Sequence, residues 1–383
     1  MTHGDAVCHA EKWRAECAGA GAFARLQVAK RTVSIPHVQI SGNGGGESER
    51  VLVVRAGALG DTLMATPVIR RLRNAAPGRE VDLLCSVGGA SLLRNNSYIS
   101  QIHTMRLRNL PHFVSLEKRR LVKKIRDRNY SFAVLLESAP RYRELLERAS
   151  LRQIRGFTEA SFDPSQHSIV NNLRAAGFPE SGPSDLEMDL SASDSAAEWA
   201  ANALARLPKP WIGVHAGYGP GSKKKDQTER LKGWTCENFI QVARELIDRG
   251  ASIVLTGSGG DLGICQTIAS SLPADRVLVC AGQTSIDQLA GVIQALDLFI
   301  SVDSGPAHMA AALGTPLVVL WGPAILAQVR PLSATTPIRI LNAHVPCAPC
   351  YGTPLMKSCT RNICMEQILP PTVVSAALDL LGR

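Results

Sequence analysis

Short apolar runs alternate with amphipathic segments along most of this chain, and this alternation is the feature that most limits its fold. The first run, Val51–Val54, is followed by a glycine turn and then by a segment with helical spacing that begins near Asp61. A continuous apolar run of this length is typical of a strand buried on both faces of a parallel sheet. Strands that alternate with helices predict parallel βαβ units, so the fold class is α/β.

The alternation occurs twice, which predicts two domains. The predicted strands of the first half are Val51–Arg55, Val81–Cys85, Ile102–Met105 and Phe132–Leu136. Beyond the proline-rich stretch Leu207–Pro210, the predicted strands are Trp211–His215, Ser252–Thr256, Val277–Cys280, Leu298–Ser301, Leu317–Leu320 and Ile338–Leu341. We therefore expect Rossmann-like domains over residues 50–206 and 207–370, with a cleft between them, and a last helix over 371–383. Residues 1–49 end in a glycine-rich stretch and are expected to be a poorly ordered extension.

The helix boundaries carry two local expectations. One continuous helix is predicted over Thr62–Ala75, and a capping box is predicted at Thr284–Asp287. The final segment has proline at its start and apolar residues at helical spacing.

Charge and composition limit the classes of partner that the protein is expected to bind. The chain has 383 residues and a formal net charge of +9, which favours an anionic partner such as a nucleotide, a phosphorylated glycan or a membrane surface. Nucleic acid is not expected, because aromatic residues make up only 5% and no nucleic-acid-binding motif is present. No apolar run approaches the ~20 residues of a transmembrane helix, and the first residues lack the apolar core of a signal peptide. The expectation is a cytoplasmic protein.

Asp61 stands at the mouth of the first glycine loop. In open α/β sheets, ligands bind beyond the carboxyl ends of the strands, and Asp61 follows such an end. Two interpretations are open from the local pattern: a carboxylate that faces a ligand, or a cap for the helix that follows.

A second cluster of polar residues follows the strand predicted at Leu298–Ser301. There Asp303, Ser304, Gly305 and Pro306 lead into a helix of small residues, and proline suits the first helical turn. Free backbone N–H groups at a helix start attract phosphate, and Ser304 and His308 would add donors. The alternative is an ordinary capped helix with a surface histidine.

Several motifs in order resemble one family. The sequences GDTLMATP at 60–67 and DSGPAHMAAALG at 303–314 are similar to the two hallmark motifs of the ADP-heptose:lipopolysaccharide heptosyltransferases, glycosyltransferase family 9. Between them, HAGYG from His215, KGW from Lys232 and GSGGD from Gly257 resemble further family segments. The resemblance extends from Arg50 to the C-terminus. It implies a GT-B fold: two Rossmann-like open parallel-sheet domains with an interdomain cleft, and a last helix that crosses back to the first domain.

The resemblance also implies an activity. The expected enzyme is an inverting glycosyltransferase that moves heptose from ADP-heptose, a nucleotide-sugar donor, to a hydroxyl of an anionic glycan or glycolipid. The lipopolysaccharide inner core is the family's usual acceptor, so a peripheral contact with the inner membrane is part of the expectation. No metal or other cofactor is expected in the chemistry. Asp61 would be the general base, because an acceptor hydroxyl must lose its proton as it attacks the anomeric carbon.

The other site residues follow from the same resemblance. The acceptor and cleft loop would contain Gly57, Gly60 and Thr62, with the glycines leaving room for acceptor and sugar. Donor binding in the second domain would use Lys232, Asp261, Asp303, Ser304, Gly305, Pro306 and His308. Lys232, the helix start and His308 would stabilise the diphosphate leaving group, and Asp261 would contact the ribose. Asp303 would orient His308, contact sugar hydroxyls or hold the loop.

Four of the ten cysteines fall close together, at Cys347, Cys350, Cys359 and Cys364. Four thiolates suit a tetrahedral structural site for zinc or iron, and some autotransporter heptosyltransferases that the chain resembles bind iron through such a segment. The alternative is a set of reduced cysteines packed in an ordered loop.

Other functions stay open beside the leading one. A non-catalytic relative would bind nucleotide-sugar or glycan without transfer, although the presence of Asp61 argues against it. A transferase could also act on a protein or natural-product acceptor. A nicotinamide-dependent oxidoreductase is disfavoured, because Gly57 and Gly60 do not form the G-x-G-x-x-G pattern that follows the first strand of such enzymes.

Overall fold

The computed structural model describes residues 49–106, 115–157, 162–179, 181–217 and 231–383. The extension expected at residues 1–49 lies outside this part of the chain, except for Glu49. Glu49 accepts two hydrogen bonds from the buried Arg79 side chain.

The first half of the described chain forms a parallel sheet of five strands in the order β3-β2-β1-β4-β5. Its strands are β1 (Arg50–Arg55), β2 (Glu80–Cys85), β3 (Gln101–Thr104), β4 (Phe132–Leu135) and β5 (Ile154–Gly156). The helices of this half are α1 (Leu59–Leu63), α2 (Thr66–Asn74), α3 (Val87–Leu92), α4 (Leu116–Asp127), α5 (Pro140–Arg148), α6 (Ser168–Ala176) and α7 (Asp194–Leu204).

The second half forms a parallel sheet of six strands in the order β11-β10-β9-β6-β7-β8. Its strands are β6 (Trp211–His215), β7 (Ser252–Thr256), β8 (Val277–Val279), β9 (Leu298–Val302), β10 (Leu317–Trp321) and β11 (Ile338–Asn342). Its helices are α8 (Cys236–Asp248), α9 (Leu262–Ser270), α10 (Ile286–Ala295), α11 (Gly305–Leu313), α12 (Leu326–Val329), α13 (Pro354–Lys357), α14 (Ile363–Glu366) and α15 (Pro370–Leu381).

Each sheet has a topological switch point near its centre. In the first sheet, β1 pairs with β2 in register Val53 to Leu83, and with β4 in register Val53 to Val134. In the second sheet, the chain runs outward from β6 through β7 and β8, then returns to the other side of β6 with β9. Ligands of open α/β sheets bind outside the carboxyl ends at such points. The loops after β1, β6 and β9 are therefore the places to look for a site.

The carboxyl ends of the two sheets face each other. A Cβ atom built on Gly60, after β1, would lie 2.8 Å from His308 Cδ2 on α11. A Cβ atom built on Gly305 would lie 3.0 Å from Leu59 Cβ on α1. This is the two-domain arrangement with an interdomain cleft that the sequence predicts.

The helix predicted over Thr62–Ala75 is instead two helices, α1 and α2. Pro67 has no N–H group to offer the Leu63 carbonyl, so the first helix cannot continue through it. The Thr66 hydroxyl donates to that carbonyl at 2.7 Å and satisfies it. The capping box near residue 284 is also shifted by one residue: Ser285 caps α10 and Gln288 closes the box.

Two helices that the sequence assigns to the first domain, or to a contact with it, pack on elements of the second half. Helix α7, expected at the end of the first domain, packs closely on α10 of the second half, and a Cβ atom on Gly291 would lie 2.5 Å from Ala196 O. Helix α15, expected to cross back to the first domain, packs against α8, β9 and β10. Its buried residues Val373, Val374 and Ala377 belong to the core of the second sheet. Across the described ranges, no helix has the length and apolarity needed to cross a membrane.

Candidate active site

Asp61 lies in the first turn of α1, directly after the loop that leaves β1. Its Oδ1 accepts a hydrogen bond from Arg55 Nη2 at 2.7 Å, and its Oδ2 accepts one from the Ala58 backbone N–H at 3.1 Å. The Asp61 side chain is 36% exposed, whereas that of Arg55 is 16% exposed. Asp61 therefore fixes the helix start and also presents a carboxylate to solvent.

The glycine loop makes room for protein side chains. A Cβ atom on Gly57 would lie 2.6 Å from Asp61 Oδ2, and a Cβ atom on Gly60 would meet the His308 ring. A side chain at either position would displace Asp61 or His308, and the expectation that these glycines also leave space for acceptor and sugar stays a prediction. Thr62, also expected in this loop, is fully buried and donates through its hydroxyl to Ala58 O. It stabilises α1.

Asp303 follows β9 and is paired with Lys232. Lys232 Nζ lies 2.6 Å from Asp303 Oδ2, and both side chains are largely buried. The Tyr351 ring lies over the same ammonium group, with its centroid 5.0 Å from Lys232 Nζ. The lysine expected to meet a phosphate is thus held between a carboxylate and an aromatic face.

His308 lies on the first turn of α11 and is buried. Burial lowers its pKa, the carboxylates of Asp303 and Asp61 act in the opposite direction, and Lys232 adds to the lowering. The imidazole is therefore neutral near pH 7, with one ring nitrogen as donor and the other as acceptor. The alternative of a surface histidine is therefore excluded, because this ring is buried where α11 meets Gly60 of the first half.

The start of α11 is built from Ser304, Gly305 and Pro306. Pro306 lies in the first turn, as the sequence predicts. The Ser304 hydroxyl does not cap the helix; it is 2.9 Å from the Ser301 hydroxyl. The absence of a side chain on Gly305 lets the helix start approach Leu59 across the cleft.

Buried polar atoms without a hydrogen bond concentrate at this place. In the described part of the chain they are Arg55 Nε, Asp303 Oδ2 and His308 Nδ1. Of these, Asp303 Oδ2 has the Lys232 ammonium as its ion-pair partner. Buried polar groups are normally satisfied, and exceptions are typical of functional sites. The cluster identifies the meeting point of the two sheets as the candidate active site.

Comparison with known proteins defines the family. Residues 161–359, more than half of the chain, match the family model described as glycosyltransferase family 9 (heptosyltransferase). The chain belongs to this family. It is a glycosyltransferase with the GT-B fold.

Individual relatives agree with that assignment. Lipopolysaccharide heptosyltransferase 3 of Escherichia coli strain K12 is 28% identical over 280 residues, which cover 69% of this chain and 79% of that protein. The structure of E. coli ADP-heptose lipopolysaccharide heptosyltransferase II has a TM-score of 0.68 at 21% identity, covering 87% of this chain and 98% of that one. A family 9 glycosyltransferase from Veillonella parvula gives a TM-score of 0.72 at 19% identity, covering 88% and 99%.

Asp261 of this glycosyltransferase lies after β7, close to the end of β6. Its Oδ2 accepts hydrogen bonds from the backbone and hydroxyl of Ser258 at 2.8 and 2.7 Å. The carboxylate lies over Gly217, where a Cβ atom would be 2.3 Å from Asp261 Cγ. His215, at the end of β6, is buried, and burial lowers its pKa to about 4. Asp261 thus lies at the carboxyl edge of the second sheet, with one oxygen engaged by its own turn.

The four clustered cysteines lie near one another, since Cys347, Cys350 and Cys359 all act electrostatically on Cys364. Over the ranges that the structure describes, no three or more His, Cys, Asp or Glu residues are arranged to hold a metal ion. Cys350 packs with Leu231 and Met356, whereas Cys364 belongs to the core of the second sheet. Burial and the neighbouring cysteines raise the pKa of both thiols, that of Cys364 to about 11. The alternative from the sequence, reduced cysteines packed in an ordered loop, agrees with the burial of Cys350 and Cys364, and the zinc or iron expected from the four-thiolate pattern stays a prediction.

Sequence reasoning missed three residues of the site. Arg55 ends β1 and holds both Asp61 and the Leu136 carbonyl. Glu137 follows β4 and accepts from the Ala56 N–H at 2.7 Å. Tyr351 comes from the cysteine-bearing loop. For Arg55 and Glu137 a signal existed, since each is a charged residue at or just beyond the end of an apolar strand.

Proposed function

We propose that this protein is an inverting heptosyltransferase, which transfers heptose from an ADP-linked donor to a hydroxyl of the lipopolysaccharide inner core. The observation that supports it best is the juxtaposition at the cleft. A half-exposed carboxylate, Asp61, stands at the end of one sheet, and His308 with the Lys232–Asp303 pair stands at the end of the other. A base and a set of phosphate donors on opposite sides of a cleft suit direct transfer of a sugar between two bound substrates.

Asp61 would take the proton of the acceptor hydroxyl. The acceptor oxygen forms a bond to the anomeric carbon while the bond from that carbon to the diphosphate oxygen breaks. The attacking oxygen enters from the face opposite the leaving group, so the anomeric configuration inverts. Arg55 and the Ala58 N–H hold the carboxylate in one orientation for this step.

The leaving ADP carries away negative charge, and donors must already be in place to stabilise it. Lys232 supplies a cation, His308 a neutral imidazole and the start of α11 its backbone N–H groups. Since Lys232 is already paired with Asp303, the diphosphate would share the ammonium with that carboxylate. This arrangement lets a protein cation carry the charge, so the proposed chemistry uses no metal.

The exposed basic residues of the first half support the proposed anionic acceptor. Helix α4 exposes Arg119, Arg120, Lys123, Lys124 and Arg126, whereas Lys118 of the same basic stretch is buried. An exposed basic helix on the acceptor-side half suits an anionic glycolipid and a peripheral association with the cytoplasmic face of the inner membrane. Asp261, near the end of β6, is proposed to contact the ribose of ADP.

The test is a transfer assay with ADP-, UDP-, GDP- and dTDP-linked sugars and heptose-deficient lipopolysaccharide as acceptor. We expect transfer from ADP-heptose alone, inversion at the anomeric carbon by NMR, and unchanged rates with EDTA. Transfer from another nucleotide-sugar would contradict the donor, and retention would contradict the mechanism. Tight binding of NAD(P)H without any transfer would replace the proposal by an oxidoreductase.

A further inference from the structure

The cysteine-bearing segment, residues 347–368, contacts the chain on both sides of Lys232. Leu231, directly before Lys232, is buried against Cys350 and Met356. Directly after Lys232, the Gly233 carbonyl accepts a hydrogen bond from Asn362 Nδ2 at 2.8 Å. One residue later, Trp234 Nε1 donates to the Ile368 carbonyl at 3.0 Å. The backbone that carries Lys232 is therefore fixed by one segment from both directions.

The same segment also reaches the end of the lysine side chain. The backbone N–H groups of Cys350 and Tyr351 both donate to the Pro323 carbonyl at 3.0 Å, and Gly352 turns the chain with φ of +77°. This turn places the Tyr351 ring over Lys232 Nζ. The ring is 47% exposed, so it forms an outer wall beside the ammonium group. An aromatic face at this distance attracts a cation.

The segment is anchored at the carboxyl end of β10. A Cβ atom on Gly322 would lie 2.7 Å from Met365 Sδ and 3.5 Å from Cys364 Sγ, so the segment packs tightly on the strand end. Cys350 and Cys364 are both buried among apolar neighbours, so they act here as compact packing side chains. The cysteines thus hold the segment on the sheet, and the segment holds Lys232.

We propose that residues 347–368 are the element that positions Lys232 for the diphosphate of the donor, with Asn362 and Tyr351 as positioning residues. Asn362 fixes the backbone beside the lysine, and Tyr351 restricts the ammonium group. A lysine side chain has much rotamer freedom to lose, and restricting it before the ligand arrives lowers that cost. This inference rests on the proposed function, because it assumes that Lys232 meets the leaving diphosphate.

The test measures ADP affinity by calorimetry, with donor KM and kcat where turnover is observed. Tyr351→Ala and Asn362→Ala should each weaken ADP binding by about three- to tenfold. Tyr351→Phe keeps the ring and should bind like the wild type. Ser358→Ala is the matched control, because its hydroxyl donates only to the Leu355 carbonyl within the same segment.

The decisive measurement repeats both alanine variants in a Lys232→Ala background. If these residues act through Lys232, their effects should vanish there, and a double-mutant cycle should report the coupling. Effects of the same size in that background would overturn the proposal, as would ADP affinity unchanged in both single variants. Circular dichroism checks folding. If Asn362→Ala does not fold, the comparison of Tyr351→Ala with Tyr351→Phe, at an exposed position, decides alone. Wild-type protein that fails to bind ADP would instead contradict the proposed function.

Discussion

Two aspartates in the first half of the chain are each paired with an arginine, yet their surroundings are opposite. Asp82 on β2 accepts from Arg128 Nε at 2.9 Å and from the Tyr130 hydroxyl at 2.7 Å, and it is completely buried. Asp61 after β1 accepts from Arg55 at 2.7 Å, and more than a third of its side chain is exposed. Asp82 is the third of the six residues of its strand, away from the carboxyl edge where Asp61 lies.

This difference shows which feature distinguishes a functional carboxylate from a structural one. An arginine partner is common to both, so it does not discriminate. Asp82 has its oxygens surrounded by protein donors, which suits a structural role. Asp61 keeps an open face towards the cleft, and its neighbours across that cleft are a buried neutral histidine and an ion pair.

The largest expected effect is that of Asp61→Asn on turnover. The amide keeps the shape of the side chain but cannot take the acceptor proton. We expect kcat to fall by about 10²–10⁴-fold with little change in ADP affinity or in the midpoint of thermal unfolding. Steady-state transfer assays and ADP calorimetry would measure this.

The matched control is Asp82→Asn, which should show the reverse pattern. It leaves the buried Tyr130 hydroxyl and the Arg128 charge without their carboxylate, so unfolding free energy should drop by about 3 kcal/mol. Turnover per folded molecule should stay near that of the wild type. If Asp61→Asn lost stability and retained turnover, the assignment of the two roles would be reversed.

The comparison also shows what the sequence could and could not predict. The strands Trp211–His215 and Ser252–Thr256 were predicted with their observed limits, because each is an apolar run preceded by a proline or glycine turn. Strand β5 has three residues, Ile154–Gly156, one of them arginine, and helix α3 contains two adjacent glycines. Neither gives a periodic signal, so both were missed.

The site residues, too, include some that the sequence could predict and some that it could not. Asp61 and His308 were found because each lies in a run of motif residues after a buried strand. The approach of His308 to Gly60, next to Asp61, depends on how the two sheets meet, which no local pattern contains. The role of Tyr351 depends on a turn that brings it to Lys232 from far along the chain. The cysteine spacing suits both a metal site and packed reduced thiols, so the sequence left both open, and two of the four thiols are buried.

A further prediction concerns the pH dependence of the unfolding free energy, to which Asp82 contributes. Burial alone would raise the pKa of this carboxyl, but hydrogen bonds with His103, Arg128 and Tyr130 outweigh burial and hold the pKa at about 2, below the ordinary 3.8. Since the folded pKa is the lower one, ionised Asp82 stabilises the folded state above pH 3.8, and that stabilisation is lost as pH falls through 2. The contribution is about 2 kcal/mol.

Denaturant unfolding of the wild type and Asp82→Asn at pH 6 and pH 2.5 isolates this group from the other carboxyls. The gap in unfolding free energy between the two proteins should narrow at the lower pH. A gap that stays constant or widens would show that Asp82 is not the titrating group.

The smallest effect is expected from shortening the arginine in each pair. Arg55→Lys keeps the charge but cannot reach Asp61 and the Leu136 carbonyl together, as the guanidinium does. Asp61 would then lose its fixed orientation, and kcat should fall by about tenfold with donor KM unchanged. Arg128→Lys makes the same change at the structural carboxylate and should lower unfolding free energy by about 1 kcal/mol with kcat intact. Steady-state transfer assays measure kcat for the two variants, and urea titrations measure their unfolding free energy. An equal loss of kcat in both would mean that the guanidinium at Arg55 supports the fold of the sheet and has no particular link to the carboxylate at the cleft.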